Sequence, residues 1–317
     1  MPFLIIFGVI VLITLIISFI AYKMTFYSPK KRKPPNYEIP EDEFTELAKT
    51  FISQMVSDMQ SRAFEEVYIT SYDGLTLYGR YYHFKDNAPI LLQMHGYKSS
   101  AERDMCGGNK VAFERGYNCL IIDHRSHGKS QGTTISFGIK ERFDVLSWCN
   151  YLYNRFGEQA LIAISGVSIG GATVLMASDL ELPKNVIGIW ADCPYSSPKD
   201  IIKKVVEDMK LPSNLLWPFI WLGAFIFGGV NITETSAEKA LEKVKIPTFI
   251  IHGESDKLVP VEMSKKLADI NPNLITVKTV ANAGHGMSFI VDNLNYLELE
   301  DNFWQTCVQK YKEKNSI

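Results

Sequence analysis

The chain has 317 residues, is 46% hydrophobic and 21% charged, and carries a formal net charge of −2. That length holds one large α/β domain or two small ones, and so nearly neutral a balance gives no reason to expect nucleic acid as a partner. Five cysteines, Cys106, Cys119, Cys149, Cys193 and Cys307, form no CxxC pair and several sit in apolar runs, so they read as buried reduced thiols rather than a disulfide framework or a metal site.

The first predicted element is a membrane helix. Residues Pro2 to Tyr22 contain no charge, and their number is the ~20 that crosses a bilayer core. A cleaved signal peptide is the competing reading; it would have a positive segment before the apolar run and a small-x-small cleavage site. Neither is present around SFIAYKM, which favours an uncleaved anchor over residues 1–23. Lys23, Lys30, Lys31, Arg32 and Lys33 follow directly. Positive flanks stay in the cytoplasm, so the expected arrangement is a single-pass protein of the cell membrane with its domain cytoplasmic and the short N-terminus outside. The sequon Asn231-Ile232-Thr233 would matter only in a glycosylating lumen and reads as chance.

Residues 24–40 read as a basic linker containing Pro34 and Pro35, and the domain is expected to occupy 41–317. Acidic residues Glu41 to Glu43 after Pro40 mark a helix start. Phe44, Leu47, Ala48, Phe51, Ile52, Met55, Val56 and Met59 then recur at helical spacing, one apolar face packed on the domain. From Glu65 the pattern alternates on both sides of Asp73-Gly74, a β-hairpin signature. Short apolar runs follow at Ile90–Met94, Cys119–Asp123, Leu161–Ser165, Val186–Ala191, Thr248–His252 and Ile275–Val280. Helical segments separate them over Ala101–Arg115, Lys140–Phe156, Ile169–Ser178, Pro260–Asp269 and Ser288–Lys312. Such alternation predicts one α/β domain, a mostly parallel sheet with helices on both faces.

One connection is too long for a βα unit. Residues 193–245 include Leu215–Val230, apolar but interrupted by Pro218 and Gly223. An inserted helical cap is the preferred reading, with Trp217, Phe219, Trp221 and Phe225 lining or shielding an apolar substrate pocket. A membrane-dipping surface is the alternative, and simple packing of the cap against the core is a third.

The chemistry-bearing motif is Gly166-Val167-Ser168-Ile169-Gly170, after an apolar strand and before an apolar helix. This is the context of a nucleophile elbow, a tight turn that lifts the serine hydroxyl above the sheet. A serine needs an adjacent base, and in this arrangement the acid and then the histidine follow it in sequence. Of six histidines, only His285, in Asn282-Ala283-Gly284-His285-Gly286, follows both the serine and a plausible acid. Asp256, just past the Thr248–His252 strand, is the expected acid; Asp192 competes and Glu254 ranks third. Asp123 precedes the serine and reads as a turn former. Two backbone N–H groups must meet the developing oxyanion: those of Ile169 and, from the loop after Ile90–Met94, Tyr97.

With these residues the chain resembles the α/β-hydrolase family from about Glu65 onward. The matching pieces are His95-Gly96-Tyr97, the Asp123 to Ser130 turn, the Ser168 elbow, Gly253 to Pro260 and Gly284-His285. The pattern looks most like bacterial membrane-anchored relatives of bud-emergence-type and serine aminopeptidase-type hydrolases. The resemblance implies an eight-stranded sheet and no cofactor or metal. Ser126 departs from the family by standing where a glycine is usual. HGYKSS replaces the glycine-rich loops of lipases and proline peptidases, and serine at the elbow argues against dehalogenase or epoxide hydrolase chemistry. The expected activity is hydrolysis of a small-molecule or lipid-like acyl ester or thioester. An aminopeptidase-like activity on the same residues and a non-catalytic binding protein of the same fold are the alternatives. Nothing in the sequence assigns an oligomeric state.

Overall fold

The computed structural model describes residues 2–31 and 46–315; residues 32–40 of the expected linker and the expected helix start at 40–45 lie outside them. Helix α1 runs from Pro2 to Thr25 and α2 from Glu46 to Ser61. The hairpin β1 (Glu65–Thr70) and β2 (Thr76–Tyr82) turns where Asp73-Gly74 was expected to turn it. Gly74 there adopts φ 86°, a left-handed conformation that costs glycine little.

The chain then alternates: β3 (Ile90–Met94), α3 (Ala101–Asp104), α4 (Cys106–Glu114), β4 (Asn118–Asp123), α5 (Glu141–Phe156), β5 (Ile162–Val167), α6 (Ile169–Met176) and β6 (Val186–Asp192). Next come α7 (Pro198–Asp208), α8 (Ser213–Gly228), α9 (Ala237–Leu241), β7 (Thr248–Gly253), α10 (Glu262–Lys265), β8 (Ile275–Val280), α11 (Ser288–Val291) and α12 (Asn293–Asn315). The sheet has eight strands in the order β1-β2-β4-β3-β5-β6-β7-β8, parallel except where β2 pairs with β1 and β4.

Side-chain alternation along the central strands divides the core in two. Leu92, Leu120, Ile164, Ile189 and Ile250 face one layer with α5, α6 and the buried side of α8. Leu91, Ile121, Ala163, Trp190 and Ile251 face the other, with α2, α4 and α12. Strands covered on both faces need apolar residues throughout, and β3, β4, β6 and β7 are buried at every position. All five cysteines are buried and free.

Two expectations change in detail. Ala101–Arg115 is not one helix; it breaks at Met105 into α3 and α4, with the Ser100 hydroxyl capping α3 by accepting the Arg103 N–H. Residues 26–28, expected to belong to the linker, pack on the domain. Phe26 is fully buried, its carbonyl accepts the Ile135 N–H at 2.8 Å, and the Ser28 hydroxyl donates to the Ser126 carbonyl at 2.6 Å. Phe26 and Tyr27 supply apolar surface before the prolines begin, which explains why this stretch docks. Ser126, where a glycine is usual, adopts φ 66°, so the serine keeps the left-handed backbone a glycine would supply and uses its hydroxyl to donate to the Thr134 carbonyl at 2.9 Å.

Candidate active site

Ser168 stands between β5 and α6 at φ 57°, ψ −117°, a conformation few non-glycine residues adopt and one that persists only where surroundings enforce it. Close packing enforces it here. A Cβ on Gly166 would lie 2.4 Å from the Gly170 carbonyl carbon, and one on Gly170 would lie 2.2 Å from the Met94 carbonyl oxygen. Both glycines of the motif are therefore required by space.

His285 lies in the loop after β8, its Nε2 2.9 Å from Ser168 Oγ and its Nδ1 2.7 Å from Asp256 Oδ2. Asp256 comes from the loop after β7, and the two loops are tied by the Ser255 N–H donating to the Ala283 carbonyl at 2.9 Å. Asp256 Oδ1 accepts the N–H groups of Leu258 and Val259 at 2.9 and 2.8 Å. Burial alone would raise the carboxyl pKa of Asp256, but the imidazoles of His252 and His285 hold it well below the usual carboxylate range. The carboxylate therefore fixes the proton of His285 on Nδ1 and leaves Nε2 free to accept one from serine.

Burial of His285 works against a charged ring, yet its pKa stays above the ordinary imidazole value through the sulfur of Cys193 and the hydrogen-bonded Asp256. Cys193 Sγ lies 4.0 Å from His285 Nε2, and burial pushes that thiol up to about 11. A neutral thiol adds little charge, so Asp256 carries the effect.

The competing acids stand apart. Asp192, at the end of β6, makes no bond to His285; its Oδ1 is buried with no hydrogen-bond partner among the described residues, and burial pushes its pKa up to about 6. Glu254 accepts from the Thr279 hydroxyl at 2.6 Å. Asp123 closes its turn by accepting the Lys129 N–H at 2.8 Å. His252, given no role from the sequence, is a second imidazole on Asp256, with Nε2 3.1 Å from Oδ2 and 2.9 Å from the Val259 carbonyl. Its spacing of four residues from Asp256 was the available signal.

The N–H groups of Tyr97 and Ile169 have no acceptor among the described residues, the condition for oxyanion donors. Two histidines brace the Tyr97 loop. His95 Nδ1 donates to the Gly96 carbonyl at 2.7 Å, and His127 Nε2 accepts the Lys98 N–H at 3.0 Å. Asp104 accepts the Gly96 N–H at 2.7 Å.

Beside Ser168 opens a cavity of about 320 Å³. Its walls are Ile52 and Met55 of α2, Cys106 and Val111 of α4, and Met287, Phe289 and Ile290 around α11, above Gln93, Trp190 and Asp192. None of Trp217, Phe219, Trp221 and Phe225 lines it, a correction to the expected cap. Those residues sit on α8, which turns Ile220 and Ala224 into the core and packs along α1. The apolar face of α2, expected only to pack, supplies a cavity wall instead; no local signal distinguishes a wall from a packed face.

The fold is shared. A family model described as alpha/beta hydrolase fold matches residues 89–216. An esterase from Pyrococcus furiosus superposes with a TM-score of 0.66 over 88% of this chain and 98% of its own, at 22% identity. The chain has the α/β-hydrolase fold. Among curated relatives, an uncharacterized protein of Bacillus subtilis is 28% identical over 195 residues, 60% of this chain and 63% of its own. A thiohydrolase of Aspergillus aculeatus is 30% identical over 146 residues, 44% of each chain. The alignments span less than two thirds of either relative's length.

Proposed function

We propose that this α/β hydrolase is a membrane-anchored serine hydrolase that cleaves carboxylic esters or thioesters through an acyl-serine intermediate. The observation that carries the reading is the unbroken chain Ser168 Oγ to His285 Nε2 at 2.9 Å and His285 Nδ1 to Asp256 at 2.7 Å. Ser168 Oγ attacks the carbonyl carbon as His285 takes its proton, and the amides of Ile169 and Tyr97 hold the oxyanion. Collapse breaks the bond to the leaving oxygen or sulfur, which receives the proton from His285. Water then attacks the acyl-serine with His285 as base, releasing the acid. Every group needed is in the chain, so no cofactor or metal enters the scheme.

The cavity is at the small end of ligand pockets, and its Ile52, Met55, Val111 and Phe289 walls suit an acyl chain of modest length. The similarity to a thiohydrolase and an esterase supports ester or thioester over amide. Full-length protein assayed against matched butyryl ester, butyryl thioester and aminoacyl amide substrates tests this. Ester or thioester turnover with an amide rate at least 100-fold lower is expected; preferential amide cleavage would assign the same residues to an aminopeptidase-like enzyme.

α1 is long and apolar enough to cross a membrane. Lys23, Lys30 and Lys31 at its end, with Arg32 and Lys33 next in sequence, support a cytoplasmic domain. Protease added outside intact cells should leave the domain whole; its digestion would reverse the orientation.

A further inference from the structure

We infer that α8 lies within the bilayer beside α1, so that the domain is seated in the membrane and its active-site mouth opens at the lipid interface. The inference rests on the reading of α1 as a membrane span. Only residues 2–13 of α1 are exposed at every position described, and at 1.5 Å per residue they cover about 18 Å. A hydrocarbon core is about 30 Å thick, so it must extend roughly 12 Å further along α1, down the stretch that α8 covers. Two helices in side-by-side contact at one depth share one solvent.

The contact is close. A Cβ on Gly223 would lie 2.3 Å from the Ser18 carbonyl oxygen, and one on Gly228 would lie 3.2 Å from the Tyr22 ring; small residues permit such approach between membrane helices. The rings of Phe19 and Phe227 meet edge to face at 5.1 Å. From Leu215 to Gly228 the helix carries no charged side chain. On its outer side Leu215, Phe225 and Ile226 are 67%, 54% and 47% exposed, continuing the apolar surface of α1. Such a face would be a liability in water and is at home in the outer 5–10 Å of an acyl layer, about where interfacial helices lie. Lys23 over the Tyr27 ring then stands at headgroup level, as aromatic and basic residues do at membrane surfaces. The consequence for the site is direct: Tyr97, of the candidate oxyanion loop, donates its hydroxyl to the carbonyl of Thr25, one turn beyond Tyr22. Acyl substrate would enter from the membrane rather than from bulk water.

The test places nitroxide labels on single added cysteines at Val9, Phe225, Ile226 and Lys312 in the full-length chain, reconstituted in 3:1 phosphatidylcholine–phosphatidylglycerol vesicles. The unsubstituted protein, whose cysteines are all buried, serves as the labelling blank. Accessibility to oxygen, which partitions into lipid, is compared with accessibility to a water-soluble nickel chelate. Oxygen should dominate at positions 9, 225 and 226, and nickel at 312. Oxygen at 9 with nickel at 225 and 226 overturns the seating of α8 while leaving the anchor standing. Nickel at 9 overturns the anchor reading and the inference with it.

Discussion

The Tyr97 hydroxyl donates to the Thr25 carbonyl at 2.8 Å, so the loop that offers one candidate oxyanion amide is fastened to the end of α1. Tyr97→Phe removes that bond and leaves the amide in the backbone. A single hydrogen bond contributes about 0.5–1.5 kcal/mol net, so kcat should fall roughly 2- to 10-fold with thermal stability nearly unchanged. Steady-state assays of vesicle-bound protein check this; an unchanged kcat would mean the tie does not position the loop.

The proposed mechanism requires His285 neutral, and its pKa lies above the ordinary value. The acid limb of kcat/KM, which reports the free enzyme, should therefore have its midpoint above pH 6.5 and rise into the alkaline range. Asp256→Asn removes the charge that holds the proton on the ring. The limb should then move to lower pH while the rate falls by about 10⁴-fold. A limb that stays in place would assign it to another group.

Asp192 separates the two candidate acids by stability rather than rate. Its folded pKa is pushed up to about 6, so the folded state resists ionising it. That penalty is absent below about pH 4, where the acid is protonated in both states, and grows until about pH 6. Asp192→Asn should therefore stabilise the protein above pH 7, by on the order of 2–3 kcal/mol at most, and have little effect near pH 4. Denaturant melts at the two pH values measure this, and loss of stability at pH 8 would contradict it.

The cavity walls should select chain length, and α8 should not. Each methylene buried adds up to ~0.8 kcal/mol, about fourfold in kcat/KM. In a p-nitrophenyl ester series from acetate to palmitate, Met55→Trp should flatten the gain beyond acetate. Trp221→Ala should keep the wild-type profile. A profile altered by Trp221→Ala and not by Met55→Trp would return substrate selection to the insertion.

Much of this was legible from residues alone, for identifiable reasons. The strands of Ile90–Met94 and Ile275–Val280 have the bounds expected, because their apolar patterns are framed by turn residues. Ser168, His285 and Asp256 could be singled out because strand ends and glycine-rich loops leave local marks, and the structure brings those three side chains together. The cavity was not legible, since its walls come from α2, α4 and α11, elements far apart in sequence. The aromatics of α8 misled for a related reason: periodicity reports an apolar face, not the neighbour that covers it, and that neighbour is α1, far away in sequence. His252 was passed over because a histidine can be read as base, ligand or brace until its partners are known.

If Ser168 is the acyl-accepting nucleophile, activated by His285 and Asp256, a serine-directed probe should react with it alone. Treating the full-length protein with a fluorophosphonate probe and locating the adduct by peptide mass mapping tests it most directly. Stoichiometric labelling is expected on Ser168, slowed by orders of magnitude in His285→Ala and abolished in Ser168→Ala. Labelling of the Ser168→Ala protein at the wild-type rate, or an adduct mapped to another residue, would contradict it.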